Sequence, residues 1–129
     1  MGELTIDQEA EQVLRAAAAE LTDPGDRECL ACFVARMLDE FGCDNTLRFA
    51  LRHRDLKAPR AHALEHRLGR MGGYCDCEVL MNAYQLADDL LERDEDDERH
   101  APAQLPDCRR VRLGSTQPCA NWVRQRRGW

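Results

Sequence analysis

The chain reads as a small, mainly α-helical single domain of four to five helices, with an irregular or short-strand CDC segment and a disordered C-terminal tail. Three observations carry that reading. Apolar residues recur at helical spacing in four successive segments, and Gly and Pro punctuate the joins between them. The last third loses this periodicity, and its charge swings from acidic to basic. A length of 129 residues suits one domain with a modest core.

The first helix opens at TIDQ, where Thr5 and Gln8 have the spacing of a capping box. Ile6, Ala10, Val13, Leu14, Ala17 and Leu21 then repeat at helical intervals until TDPG stops the run. Asp26 is the expected N-cap of a second helix. Its apolar stripe is Leu30, Phe33, Val34, Met37, Leu38 and Phe41, and Gly42 ends it. Asp44 suits the cap of a third helix of about ten residues carrying Leu47, Ala50 and Leu51. Pro59 fits the first turn of a fourth, with Ala61, Leu64, Leu68 and Met71 facing the core.

Gly72 and Gly73 break the fourth helix before CDC. Cys75, Cys77, Val79 and Met81 alternate as on a short strand. Val79, Leu80, Ala83, Tyr84, Leu86, Ala87, Leu90 and Leu91 fit a helix from about 78 to 92 better, so an irregular CDC turn leading into a helix is expected. Domain organisation follows: residues 1–93 form a helical cysteine-containing domain, and residues 94–129 continue an acidic run into a basic, disordered tail. DDLLERDEDDE, residues 88–98, holds eight acids against one arginine, and residues 101–129 carry six arginines against one aspartate.

The formal charge of −6 does not suggest a nucleic-acid binder. The opening MGELTIDQEAEQVL lacks the cationic and apolar regions of a signal peptide. No apolar run approaches the roughly 20 residues that span a bilayer. A cytoplasmic protein without a membrane partner is therefore expected. Seven cysteines are a heavy load there, where clustered thiols more often bind metal or do redox work than brace a fold.

Cys29 and Cys32 form C-L-A-C at the start of the second helix. Residues i and i+3 share a helix face, about 5–6 Å apart at Cβ, a span one tetrahedral ion can bridge. A helix N-terminus also favours the thiolate that ligates metals. Both cysteines sit to one side of the apolar stripe, which argues against simple core filling. Cys75 and Cys77 would supply the other two thiolates, although C-x-C is tighter than the usual zinc knuckle. A disulfide between residues i and i+2 would be badly strained. Asp76 and Glu78 either orient these ligands, bind a harder metal themselves, or are two exposed acids on a turn. Cys43 lies at the far end of the second helix, about 16 Å from Cys32, and is assigned to packing near a turn. Cys108 and Cys119 fall in the expected tail and read as free thiols.

HALEH, residues 62–66, matches the H-x-x-E-H pattern of inverted zinc proteases. Both histidines face away from the apolar stripe of their helix, toward solvent, so the peptidase reading is rejected. His53 and His100 read as surface residues. Residues 48–70 hold seven Lys or Arg against two acids, and the GCDN turn before them permits a helix-turn-helix. A solvated basic face is the favoured reading, because no sequence-reading helix or phosphate cradle stands out.

Three stretches, CLACFVARMLDEFGCDNTLRFALRHRD, APRAHALEHRL and GGYCDCEVLMNAY, resemble a bacterial family catalogued as domain of unknown function 2695, common in actinobacteria. The resemblance runs from about Cys29 to Tyr84, and GGYCDC is its most specific part. It implies a small bacterial protein with retained cysteine motifs and supplies no activity. It also counts Cys43 with the motif cysteines.

The expectation that results is a structural zinc-binding domain in which Cys29, Cys32, Cys75 and Cys77 hold Zn2+, with Cys43 and Glu78 as possible additions. The alternative is a cytosolic thiol-redox or metal-sensing protein. A metal-responsive DNA-binding regulator using residues 48–70 ranks third, and the basic tail is the other segment through which nucleic acid could be met. No catalytic residues are assigned, and the partner is unknown.

Overall fold

The computed structural model describes residues 6–96 and 98–125. Five helices appear in order: α1 (Ile6–Leu21), α2 (Leu30–Phe41), α3 (Arg48–Lys57), α4 (Leu64–Arg70) and a single turn, α5 (Asp76–Glu78). The chain is mainly α. None of the described helices is long and apolar enough to cross a membrane.

Helix α2 is the spine. Leu30, Phe33, Val34 and Met37, four residues of its expected stripe, are fully buried. Phe33 meets Phe49 of α3 edge to face at 6.4 Å between ring centroids. Leu64 and Leu68 of α4 are fully buried in the same core. Truncating a buried ring such as Phe33 to alanine should cost about 3–5 kcal/mol. At its C-terminus α2 stops on Gly42, whose φ of +74° lies in the region only glycine adopts freely.

Several elements begin or end differently from the sequence expectation. Thr5 lies outside the described residues, so the capping box is not described. Val13, Leu14 and Leu21 of α1 are exposed rather than packed into the core. Asp26 does not cap α2; the cap is Cys29. Asp44 bonds Thr46 and pairs with the Arg48 side chain but does not cap α3, which starts behind Leu47 without a side-chain cap from that residue. The helix expected over 78–92 is cut short. After α5 the chain takes one π-helical turn, Val79–Ala83, then a strand, β1 (Tyr84–Leu86), and a 3-10 turn at Asp88–Leu90. Alternating burial at Tyr84, Gln85 and Leu86 explains the switch, because period two suits a strand with one face inward.

The described part of the segment expected to be a disordered tail, residues 98–125, folds back on the domain instead. Strands β2 (Glu92–Arg93) and β3 (Arg99–His100) pair antiparallel. Farther on, β4 (Trp122–Arg124) pairs antiparallel with β1, matching Tyr84 to Arg124, Gln85 to Val123 and Leu86 to Trp122. Trp122 and Cys119 are buried against the core. Between these strands the chain has little regular structure, which is why it lacks apolar periodicity. It is held by single bonds, such as Val111 N–H to the Arg27 carbonyl at 3.0 Å and Asn121 Nδ2 to the Asp107 carbonyl at 2.9 Å.

Candidate metal centres

Two groups of cysteines converge, one at each end of α2. A 12-residue helix is about 18 Å long, so the groups are separate sites. The first holds Cys29, Cys32, Cys108 and Cys119; the second holds Cys43, Cys75 and Cys77. Within each group all sulfurs lie within 4.8 Å of one another. The two cysteine motifs expected to share one ion are thus not brought together. CLAC stands with the two cysteines of the C-terminal segment, and CDC stands with Cys43.

The first group is assembled on the N-terminus of α2. Cys29 is the N-cap in extended conformation, and its Sγ accepts the Cys32 N–H at 3.3 Å, the bond a serine oxygen usually makes at this position. That bond turns both sulfurs to one side of the helix end. The C-terminal segment brings the others. Cys108 Sγ accepts from the backbone N–H of Cys29 at 3.2 Å and of Arg110 at 3.3 Å. Cys119 Sγ lies 3.8 Å from Cys32 Sγ. Trp122 Nε1 donates to Cys32 Sγ at 3.2 Å, so one buried indole both packs the core and orients a ligand. A tetrahedral ion with metal–sulfur bonds of about 2.3 Å sets its sulfurs about 3.8 Å apart. The Cys32–Cys119 pair has this separation, and the other sulfurs of the group lie within 4.8 Å.

Charge is distributed unevenly in this group. The Cys32 thiol donates to Cys29, and this bond, against the opposing effect of burial, brings Cys29 down to about 5. Cys32 is pushed up, first by keeping the shared proton and then by burial. Burial raises Cys119 as well. The pocket alone therefore favours one thiolate and resists further ionisation. A divalent cation would remove that resistance by neutralising the added charge.

The second group is built around Asp76. Neither an exposed acid nor a ligand, Asp76 is fully buried, and its carboxylate accepts the Phe49 and Ala50 N–H groups, each at 3.0 Å. These are the N2 and N3 donors of α3, the helix whose own N-cap is Leu47. The Asp76 N–H in turn donates to the Thr46 carbonyl at 2.9 Å. The central residue of CDC thus caps a helix from 26 positions away and clamps the cysteines on either side of it. Burial raises Asp76, against the pull of its two N–H donors.

Cys75 and Cys77 present their sulfurs 3.3 Å apart, and Cys43 reaches them from the turn after Gly42. The Asn45 N–H donates to Cys43 Sγ at 3.4 Å. Burial alone would raise Cys43, yet the N–H groups of Cys77 and Asn45 bring it below the ordinary thiol value. Cys75 is pushed up to about 12, first by burial. Cys77 is raised because it holds the proton shared with Cys43. Glu78, next to Cys77 in the chain, does not join the three-sulfur group.

His53 is a further departure from expectation. It is buried rather than on the surface, with Nε2 2.8 Å from the Glu28 carbonyl and Nδ1 without a partner. It braces the residue preceding Cys29, and burial lowers its pKa. His62 and His66 of HALEH are exposed, as is His100. The basic surface is partly committed: Arg48 bonds the Gly42 carbonyl and pairs with Asp44, Arg52 pairs with Asp23, and Arg54 with Asp55.

Sequence reasoning missed Cys108 and Cys119 because they fall in the segment read as a disordered tail. A signal was available in QPCANW, where an apolar indole three residues after a cysteine is costly to leave in solvent.

A family model described as "Protein of unknown function (DUF2695)" matches residues 30–82. The uncharacterized protein Rv2271 of Mycobacterium tuberculosis is 38% identical over 73 residues, covering 57% of this chain and 73% of the relative. The uncharacterized protein Mb2294 of Mycobacterium bovis matches to the same extent. No solved structure matches the chain significantly.

Proposed function

The chain belongs to the DUF2695 family of proteins of unknown function, and we propose that it is a structural zinc-binding domain whose ion is held by Cys29, Cys32, Cys108 and Cys119. One observation carries this reading. Four sulfurs from two distant segments converge within 4.8 Å of one another, Cys29 and Cys119 buried in the core and Cys32 and Cys108 packed against it, with backbone and indole N–H groups already directed at Cys29, Cys32 and Cys108. Four thiolates complete the shell of Zn2+, so the site is closed and suits structure rather than catalysis. The ion fastens residues 108–122 to the start of α2, in a part of the chain that has little regular hydrogen bonding. Binding energies of structural zinc, about 10–16 kcal/mol in small domains, are ample for this.

The test is elemental analysis of the purified full chain beside Cys108→Ser and Cys119→Ser. Zinc that resists chelation in the wild type should be missing from both variants. Trypsin should then cut among the arginines at 109–112 and at Arg124 first, because the segment is no longer held. Chelation-resistant zinc that persists in both variants, or its absence from the wild type, overturns the proposal.

A further inference from the structure

The remaining three cysteines, Cys43, Cys75 and Cys77, have no role in the closed four-sulfur site. Their geometry differs from it in two ways. The described His, Cys, Asp and Glu residues supply only three donors to the group. And the group lies at the surface: Cys75 is buried, whereas Cys43 and Cys77 are half-exposed. The three sulfurs are nevertheless rigidly placed. Asp76 is tied to the N-terminus of α3 by three hydrogen bonds through its carboxylate and its N–H, which fixes the cysteines beside it. Gly42 takes the positive φ that turns Cys43 back toward them. Cys75 and Cys77, 3.3 Å apart at sulfur, could close on each other only as a strained i,i+2 disulfide.

We propose that Cys43, Cys75 and Cys77 form a second metal site, open to solvent, that takes a soft thiophilic cation of the zinc–cadmium type through three thiolates. Thiolate donors select soft ions, and three protein ligands on a four-coordinate ion leave one position for water or an exogenous ligand. Loading exchanges protons for metal: three thiols and one dication give a tris-thiolate complex of charge −1 and release three protons. Glu78 lies outside the three-sulfur group and is not assigned as a ligand. The open position makes this ion exchangeable, because a competing ligand can attach before a thiolate leaves. The closed site offers no such entry. The same chain would therefore carry one ion for its own stability and one that it can give up or receive. The assignment uses none of the residues of the closed site and stands independently of it.

The test is anaerobic titration of the reduced full chain with Cd(II), followed by thiolate-to-cadmium absorption in the ultraviolet. Excess EDTA is then added and the decay timed. The wild type should take two ions per chain and surrender one rapidly and the other slowly. Cys77→Ser and Cys43→Ser should each lose the rapid ion and keep the slow one, while Cys119→Ser should keep the rapid one. Glu78→Gln should keep both. One ion per chain, abolished by Cys119→Ser and untouched by Cys77→Ser, refutes the second site and leaves the first intact. Two ions unaffected by both Cys43→Ser and Cys77→Ser refute the residue assignment.

Discussion

Replacing Asp76 with alanine removes the one carboxylate that caps α3, and the consequence can be worked out from its bonds. Two backbone donors, on Phe49 and Ala50, lose acceptors at 3.0 Å in a place without solvent. Each buried unsatisfied donor costs about 1–3 kcal/mol. The carboxylate's own burial is relieved, which offsets part of that loss, as the upward shift of its pKa indicates. A net destabilisation of about 2–4 kcal/mol follows, above the usual range of 0.5–2 kcal/mol for a surface cap. With a urea slope of about 1–3 kcal/mol/M, the unfolding midpoint should fall by roughly 1–2 M. Urea titration followed by far-ultraviolet circular dichroism measures it. Asp76→Asn keeps one acceptor but turns an N–H2 toward the other donor, so it should recover only part of the loss. The pH dependence has a definite sign. A carboxyl raised in the fold above its unfolded value near 3.9 stabilises most while protonated, and that increment is lost as pH rises through the raised value. Asp76→Asn should flatten this slope. A midpoint change equivalent to less than about 0.5 kcal/mol for Asp76→Ala, the scale of a neutral surface change, would falsify the capping argument.

His53 titrates in the opposite sense. Burial lowers its folded value, so stability is complete above about pH 6.5 and declines as pH falls through the lowered value, when the unfolded chain takes up a proton first. Thermal unfolding across pH 5–8 should show that decline in the wild type and its loss in His53→Gln; identical slopes would exclude the histidine as its source. Trp122→Phe retains most of the buried ring and deletes only the indole N–H bond to Cys32. Affinity for zinc in a chelator competition should weaken by about tenfold, the lower end for groups that orient a metal ligand. An unchanged affinity would show that the indole merely packs.

Much of the fold is legible in the one-dimensional pattern, and the reason is local. The stripe Leu30, Phe33, Val34, Met37 repeats with the helical period, and its burial needs no knowledge of the partner it meets. Gly42 and Gly72 follow the ends of α2 and α4 with positive φ, a backbone freedom that belongs to the residue itself. Other features are invisible at that level. Asp76 reads as a surface acid because its two donors come from a helix 26 positions earlier in the chain. His53 reads as a surface residue because only packing against Phe33 and Glu28 encloses it. The exposed stripe of α1 shows the converse, a local pattern that meets no core among the described residues.

The cysteines divide along the same line. From the sequence alone come the presence of clustered thiols, the placement of CLAC at a helix start and the expectation that sulfur serves metal. Those follow from residue chemistry and short-range spacing. Which thiols meet is decided by the tertiary structure. Helix α2 holds CLAC and Cys43 about 18 Å apart along its axis, and β4 pairing with β1 delivers Cys119 to one end. The Asp76 clamp delivers Cys75 and Cys77 to the other. A metal site is a coincidence of several chain segments in space, and spacing along the chain specifies only the ligands that share one segment.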